Sequence, residues 1–102
     1  MDTVAAYRNI ILETLIPIGV QRVSLFGSAV RGEQRSDSDI DILVKLKPPS
    51  LRQPLGLFGW AALERALAGR LGRAVDLVSE DGLSPHIWPY VDREKVVIYE
   101  EV

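Results

Sequence analysis

No cysteine occurs in the 102 residues, which removes disulfides, thiolate zinc sites and cysteine nucleophiles together. Histidine is almost as scarce. His86 stands alone, so neither a histidine-rich metal site nor a Ser-His-Asp triad is expected, and His86 itself, after Pro85, reads as a surface residue. No run approaches the ~20 apolar residues of a membrane-spanning helix. The opening Met1-Asp2-Thr3 lacks the basic start of a signal peptide, and Pro17 and Gly19 interrupt the nearest apolar stretch. The cytoplasm is therefore the expected compartment, with no membrane partner. A strong excess of either charge is also missing. The net charge of −2 argues against broad nucleic-acid binding, while leaving room for a local basic patch. There is no internal repeat and no low-complexity tract. What remains, 47% hydrophobic and 25% charged residues, is the composition of an ordinary globular chain, read as one domain over 1–102.

Periodicity divides that chain into alternating helices and strands. Asp2 or Thr3 can cap a first helix whose Val4, Tyr7, Ile11 and Leu15 recur near 3.6 residues, and Pro17 and Gly19 stop it. Val20 to Phe26 reads as a buried strand closed by Gly27, and Ile40 to Leu46 as a second strand covered on both faces. Prolines 48, 49 and 54 exclude a helix or an inner strand between the two next elements. The longest helix is expected from about Leu55 to Leu71, with Leu57, Trp60, Leu63 or Glu64, Leu67 and Leu71 on one stripe and Gly72 as its cap. Ala74 to Val78 makes a third strand. A short helix with Ser84 as N-cap and Pro85 at its first position runs to about Arg93, and Val96 to Tyr99 makes a fourth strand. The expected fold class is α+β, a small mixed sheet of about four strands covered by helices.

The chemistry gathers between the first two strands. Asp39 and Asp41 lie two residues apart, so along a strand they point the same way, about 7 Å apart. Two carboxylates at the mouth of a buried strand are costly without a cation between them, and a divalent metal with oxygen ligands suits them. Asp76 interrupts an otherwise apolar third strand. If that strand pairs beside the second, Asp76 joins the other two on one face, the acid set that two divalent ions roughly 3.5–4 Å apart require for displacement at phosphorus. Gly27 lets a phosphate approach the backbone, and the Ser28 hydroxyl and nearby amides can donate to it. Arg31 and Arg35 stand close enough in sequence to offer cationic donors, or equally to pair with loop acids. Taken singly each feature has a plain reading. Gly27-Ser28 can be a simple turn, Asp39 and Asp41 a cap or a solvated loop edge, Asp76 a partner of Arg73. Asp37 reads as a solvated loop acid and Lys45 as an exposed edge charge. Trp60 belongs to the core stripe, and Trp88 and Tyr90 divide between core and interface.

Gly27-Ser28, ten residues, then Asp39-Ile40-Asp41 resembles the signature of the DNA polymerase β-like nucleotidyltransferase superfamily. The wording Gly-Ser-Ala-Val-Arg-Gly and Ser-Asp-Ile-Asp-Ile-Leu-Val looks like its minimal nucleotidyltransferase branch. The resemblance implies that Asp39, Asp41 and Asp76 are the catalytic, metal-binding acids and that Gly27, Ser28 and Arg31 bind the nucleotide. It further implies magnesium, two ions in all, with ATP as substrate and a hydroxyl as nucleotidyl acceptor. Minimal members stand beside a HEPN-domain toxin as its antitoxin, and some adenylylate a tyrosine on it. A core sheet with no helical acceptor domain favours a protein acceptor and hetero-oligomer formation with the toxin, or a homo-oligomer. Two alternatives stay open: an antitoxin that acts by binding alone, and a small-molecule nucleotidyltransferase of the aminoglycoside type.

Overall fold

The computed structural model describes residues 3–27 and 39–101. Helix α1 (Thr3–Leu15) buries Ile11, Leu12 and Leu15 and half-buries Tyr7, as its periodicity requires. A short turn at Ile16–Ile18 ends at Gly19, whose positive φ of 98° lets its N–H return to the Ile16 carbonyl at 3.1 Å. Few residues other than glycine take that conformation, which is why the helix ends there. Strand β1 (Val20–Phe26) follows, then β2 (Ile40–Leu46), helix α2 (Gly56–Leu71), β3 (Val75–Ser79), helix α3 (Trp88–Glu94) and β4 (Val96–Glu100).

The four strands form one mixed sheet in the order β3-β2-β1-β4. The β1 strand runs antiparallel to both β2 and β4, whereas β2 and β3 are parallel. That arrangement follows from the connections. A parallel pair needs a crossover, and α2 supplies it between β2 and β3. The fold is α+β, as expected. Both helices α1 and α2 lie on one face, where Val23, Leu25, Ile40, Ile42, Val44, Leu77 and Ile98 meet Ile11, Leu15, Leu63, Leu67 and Leu71 in one cluster. Fully burying a leucine such as Leu67 stabilises the fold by about 1.5–3 kcal/mol relative to exposure.

Residues of the opposite parity face the other way. Ser24 and Leu43 are nevertheless completely buried, so β2 is covered on both sides. Arg22 on that face acts electrostatically on Asp92 of α3, whose carboxylate is held below its usual range chiefly by its hydrogen bond to Lys95. Arg22 itself is clamped. Its Nε and Nη2 donate to the buried Glu80 at 2.8 and 2.6 Å, and its Nη1 to Glu100 at 2.9 Å. Those carboxylates hold the guanidinium charged beyond its already high pKa, the Glu80 hydrogen bond contributing most.

The edge strand β3 is closed from the side. Trp60 Nε1 donates to the Leu77 carbonyl at 3.1 Å, and the Leu77 N–H donates to Glu64 Oε2 at 3.0 Å. Thus Leu63 is the core member of the α2 stripe while Glu64 serves the strand. At the other edge, Arg8 Nε of α1 donates to the Ile98 carbonyl at 3.1 Å.

Three expectations are corrected. Leu57 is 82% exposed and does not belong to the α2 stripe; Leu55, just before the helix, packs against the core in its stead. The last helix starts at Trp88, since Pro89 has no N–H to offer the Pro85 carbonyl. Ser84 instead holds a turn, its carbonyl accepting from Ile87 and Trp88 and its hydroxyl from the His86 N–H. Lys45 is no edge charge. The β2 strand is interior, and Lys45 is half-buried with Nζ 3.2 Å from Asp81. His86 is exposed, as expected. Trp88 is half-buried beneath Lys95, whose Nζ lies 4.8 Å from the ring centre, while Tyr90 is exposed. The caps at Asp2 or Thr3 and the Val4 side chain lie outside the described residues. Among the described residues no helix is long and apolar enough to cross a membrane.

Candidate active site

The site is built at the end of the sheet where β1 leaves it and β2 and β3 enter. Phe26, the last residue of β1, pairs with Asp41, the second residue of β2. Next along β1 comes Gly27, at a φ of +75° that L side chains rarely adopt. A Cβ built there would press into the Asp41 carboxylate, lying 3.2 Å from its Cγ and closer still to Oδ2. Glycine is thus demanded twice, by the backbone and by the acid beside it.

Parallel pairing then sets Asp41 directly opposite Asp76 of β3. In-register partners of a parallel pair present their side chains on the same face, with strands about 4.8 Å apart. The condition attached to Asp76 in the sequence, that its strand run beside β2, is met. Asp76 does not pair with Arg73. That guanidinium turns to α1, where Nη1 donates to Tyr7 Oη at 3.3 Å. Asp39 precedes β2 by one residue and shares the parity of Asp41. Its neighbour Ile40 is tied to the start of the third strand, the Ile40 N–H donating to the Ala74 carbonyl at 2.9 Å. Asp41 is half-buried, whereas Asp39 and Asp76 are exposed.

Backbone register therefore brings Asp39, Asp41 and Asp76 to one end of two adjacent strands, with Gly27 against the middle acid. Among the described residues no three Asp, Glu or His side chains form a ready metal-holding group. The donor chemistry is that of hard carboxylate oxygens, which suits magnesium rather than a soft metal. Ser28, Arg31, Arg35 and Asp37 lie outside the described residues.

Reading the sequence missed the Arg22–Glu80–Glu100 network. Its parts are scattered over 78 positions, and the one local signal was an acid directly following an apolar strand.

A four-stranded mixed sheet with two helices on one face and an acid-bearing strand pair at its end defines the nucleotidyltransferase fold. A family model for the nucleotidyltransferase domain matches residues 8–101, and the chain belongs to that family and is a nucleotidyltransferase. Over 81 residues it is 42% identical to the protein adenylyltransferase MntA of Thermococcus cleftensis, covering 78% of this chain and 76% of the relative. A crystal structure of a toxin-antitoxin with AMP-PNP superposes with a TM-score of 0.79 at 28% identity, over 92% of this chain and 73% of that one. A complex of the tri-AMPylated HEPN toxin of Shewanella oneidensis with its MNT antitoxin gives a TM-score of 0.73 at 25% identity, over 95% and 72% of the two chains.

Proposed function

We propose that this chain is the antitoxin of a toxin-antitoxin pair and silences a HEPN-domain toxin by transferring AMP from ATP to a hydroxyl on it, that of a tyrosine. The observation carrying the reading is the register that aligns Asp41 with Asp76 beside Gly27. The MntA relative and the AMPylated toxin complex supply the acceptor class, and the AMP-PNP complex supports ATP as donor.

Asp39, Asp41 and Asp76 would hold magnesium as two ions. When bound, magnesium neutralises triphosphate charge and favours the deprotonated acceptor oxygen. Gly27 leaves the phosphates room to reach the backbone, with Ser28 and Arg31 donating to their oxygens. In the transfer, the acceptor oxygen loses its proton to water and bonds to the α-phosphorus as the bond to pyrophosphate breaks. The three acids fix where that phosphorus sits, and positioning of this kind supplies much of the rate. Placement in the cytoplasm, where ATP and a toxin are both at hand, belongs to the same reading.

The test is incubation with ATP, magnesium and the cognate HEPN protein, followed by intact-mass measurement of the toxin. A gain of one or more AMP units, lost in Asp41→Asn and Asp76→Asn with the complex still formed, is expected. Unmodified toxin that is nonetheless neutralised, also by Asp39→Ala, would replace transfer with binding alone.

A further inference from the structure

The opposite end of the sheet carries a second concave site. A cavity of about 590 Å³ is lined by Gln21, Lys45, Lys47, Arg52, Ser79 and Asp81, with an apolar wall of Leu46, Pro48 and Pro49. The Val20↔Leu46 pair marks that end and the Phe26↔Asp41 pair the other, so the two sites lie roughly 17 Å apart along the strands. Three cations against one acid is unusual in a chain whose net charge is −2.

The cations are held in place. Arg52 packs over Gly19, where a Cβ would lie 2.6 Å from the Arg52 Cβ, so the missing side chain makes its seat. Arg52 Nε donates to the Lys47 carbonyl at 2.8 Å, and the Lys47 N–H donates to the Gly19 carbonyl at 2.9 Å. Among the described residues the Arg52 guanidinium meets only backbone carbonyls and no carboxylate. Lys45 is shared with Asp81 at 3.2 Å, and Lys47 leans outward to Glu101 at 2.8 Å, a residue that does not line the cavity.

From these positions we infer that the cavity binds a compact, multiply charged anion of the organic phosphate class, at a site separate from the acid end. Its volume falls in the range of small-ligand sites, about 300–1,000 Å³. With Nε given to the Lys47 carbonyl, Arg52 keeps its Nη2 end for phosphate oxygens; Lys45 offers a point charge, Lys47 another on turning from Glu101, and Gln21 and Ser79 offer neutral hydrogen bonds. The proline and leucine wall accommodates an organic body.

The experiment is a backbone-amide NMR titration of the intact chain with inorganic pyrophosphate, free of divalent ions and at constant ionic strength. Saturable shifts at Gln21, Lys45, Lys47 and Ser79 are expected, with a dissociation constant near or below about 1 mM. Lys45→Gln should weaken binding by about tenfold, the value of one charge-assisted hydrogen bond, and Asp81→Asn should tighten it. Arg52→Gln removes a loop contact as well as a charge, so the two other variants decide the matter. Absence of saturable shifts at these amides up to about 10 mM, shifts confined to Gly27 and Asp41, or indifference to both variants would overturn the inference. So would capture of a glutamate-rich peptide there when pyrophosphate fails, which would make the cavity a protein-docking site. None of these readouts depends on nucleotidyl transfer.

Discussion

Gly27 and Asp41 share one space: the carboxylate of Asp41 stands where a side chain at position 27 would have to be. Position 27 therefore controls where the middle acid points. Gly27→Ala should cut transfer by at least about tenfold through displacement of Asp41 and through strain at a positive φ. Single-turnover kinetics with ATP, read beside a thermal melt, separates lost chemistry from lost fold.

Removing an acid should act differently. Asp76 is exposed and, among the described residues, has no ion-pair partner, so Asp76→Asn should leave stability within about 0.5 kcal/mol. Transfer should nevertheless fall by two orders of magnitude or more, about 2.7 kcal/mol of barrier. Chemical denaturation and initial rates on the same preparation check both halves.

The Glu80 carboxylate is buried and receives two hydrogen bonds from Arg22. Glu80→Ala strands a guanidinium that retains only Glu100, and should cost about 2–3 kcal/mol in urea unfolding. A loss below about 0.5 kcal/mol would mean that Arg22 re-pairs in full.

The α2 helix offers a contrast within one element. Leu67→Ala should destabilise by about 2–5 kcal/mol, because Leu67 is fully buried. Leu57→Ser and Phe58→Ser, at residues 82% and 88% exposed, should change stability by about 0.5 kcal/mol or less. Equal effects at all three positions would restore Leu57 to the core stripe.

The Asp92–Lys95 pair sets a sign for pH dependence. Asp92 is held below its usual range by the Lys95 hydrogen bond first and its charge second. A depressed folded pKa stabilises above the unfolded value of about 3.9 and loses that contribution as pH falls through the folded value. The Asp92 carboxyl carbon should titrate below that value by NMR, and Lys95→Met should return it upward. Exposure makes the effect small and sensitive to salt.

Strands were readable where short apolar runs were rich in β-branched residues and bounded by loop residues, as in Ile40 to Leu46. The acid end was readable because glycine, two acids and their spacing fall within one local stretch. Asp76 needed one further condition, the pairing of β2 with β3, and long-range register is not written in local pattern. Leu57 was misread because periodicity marks a helix face, whereas the inward place before Trp60 is filled by Leu55, which precedes the helix. Glu80 went unread because its partner Arg22 lies 58 residues away. Pro89 was overlooked as a barrier to a helix starting at Pro85, although its missing N–H was there to be read.

The side chains that close the sheet edges limit how this molecule meets another. With the Leu77 N–H and carbonyl taken by Glu64 and Trp60, and the Ile98 carbonyl by Arg8, an incoming strand would have to break these bonds before making its own. Growth of the sheet across a molecular boundary is thereby discouraged, both by a partner protein and by further copies of the chain. Under the proposed transfer, a toxin presenting its hydroxyl would come by faces and loops, leaving the β-ladder as it stands.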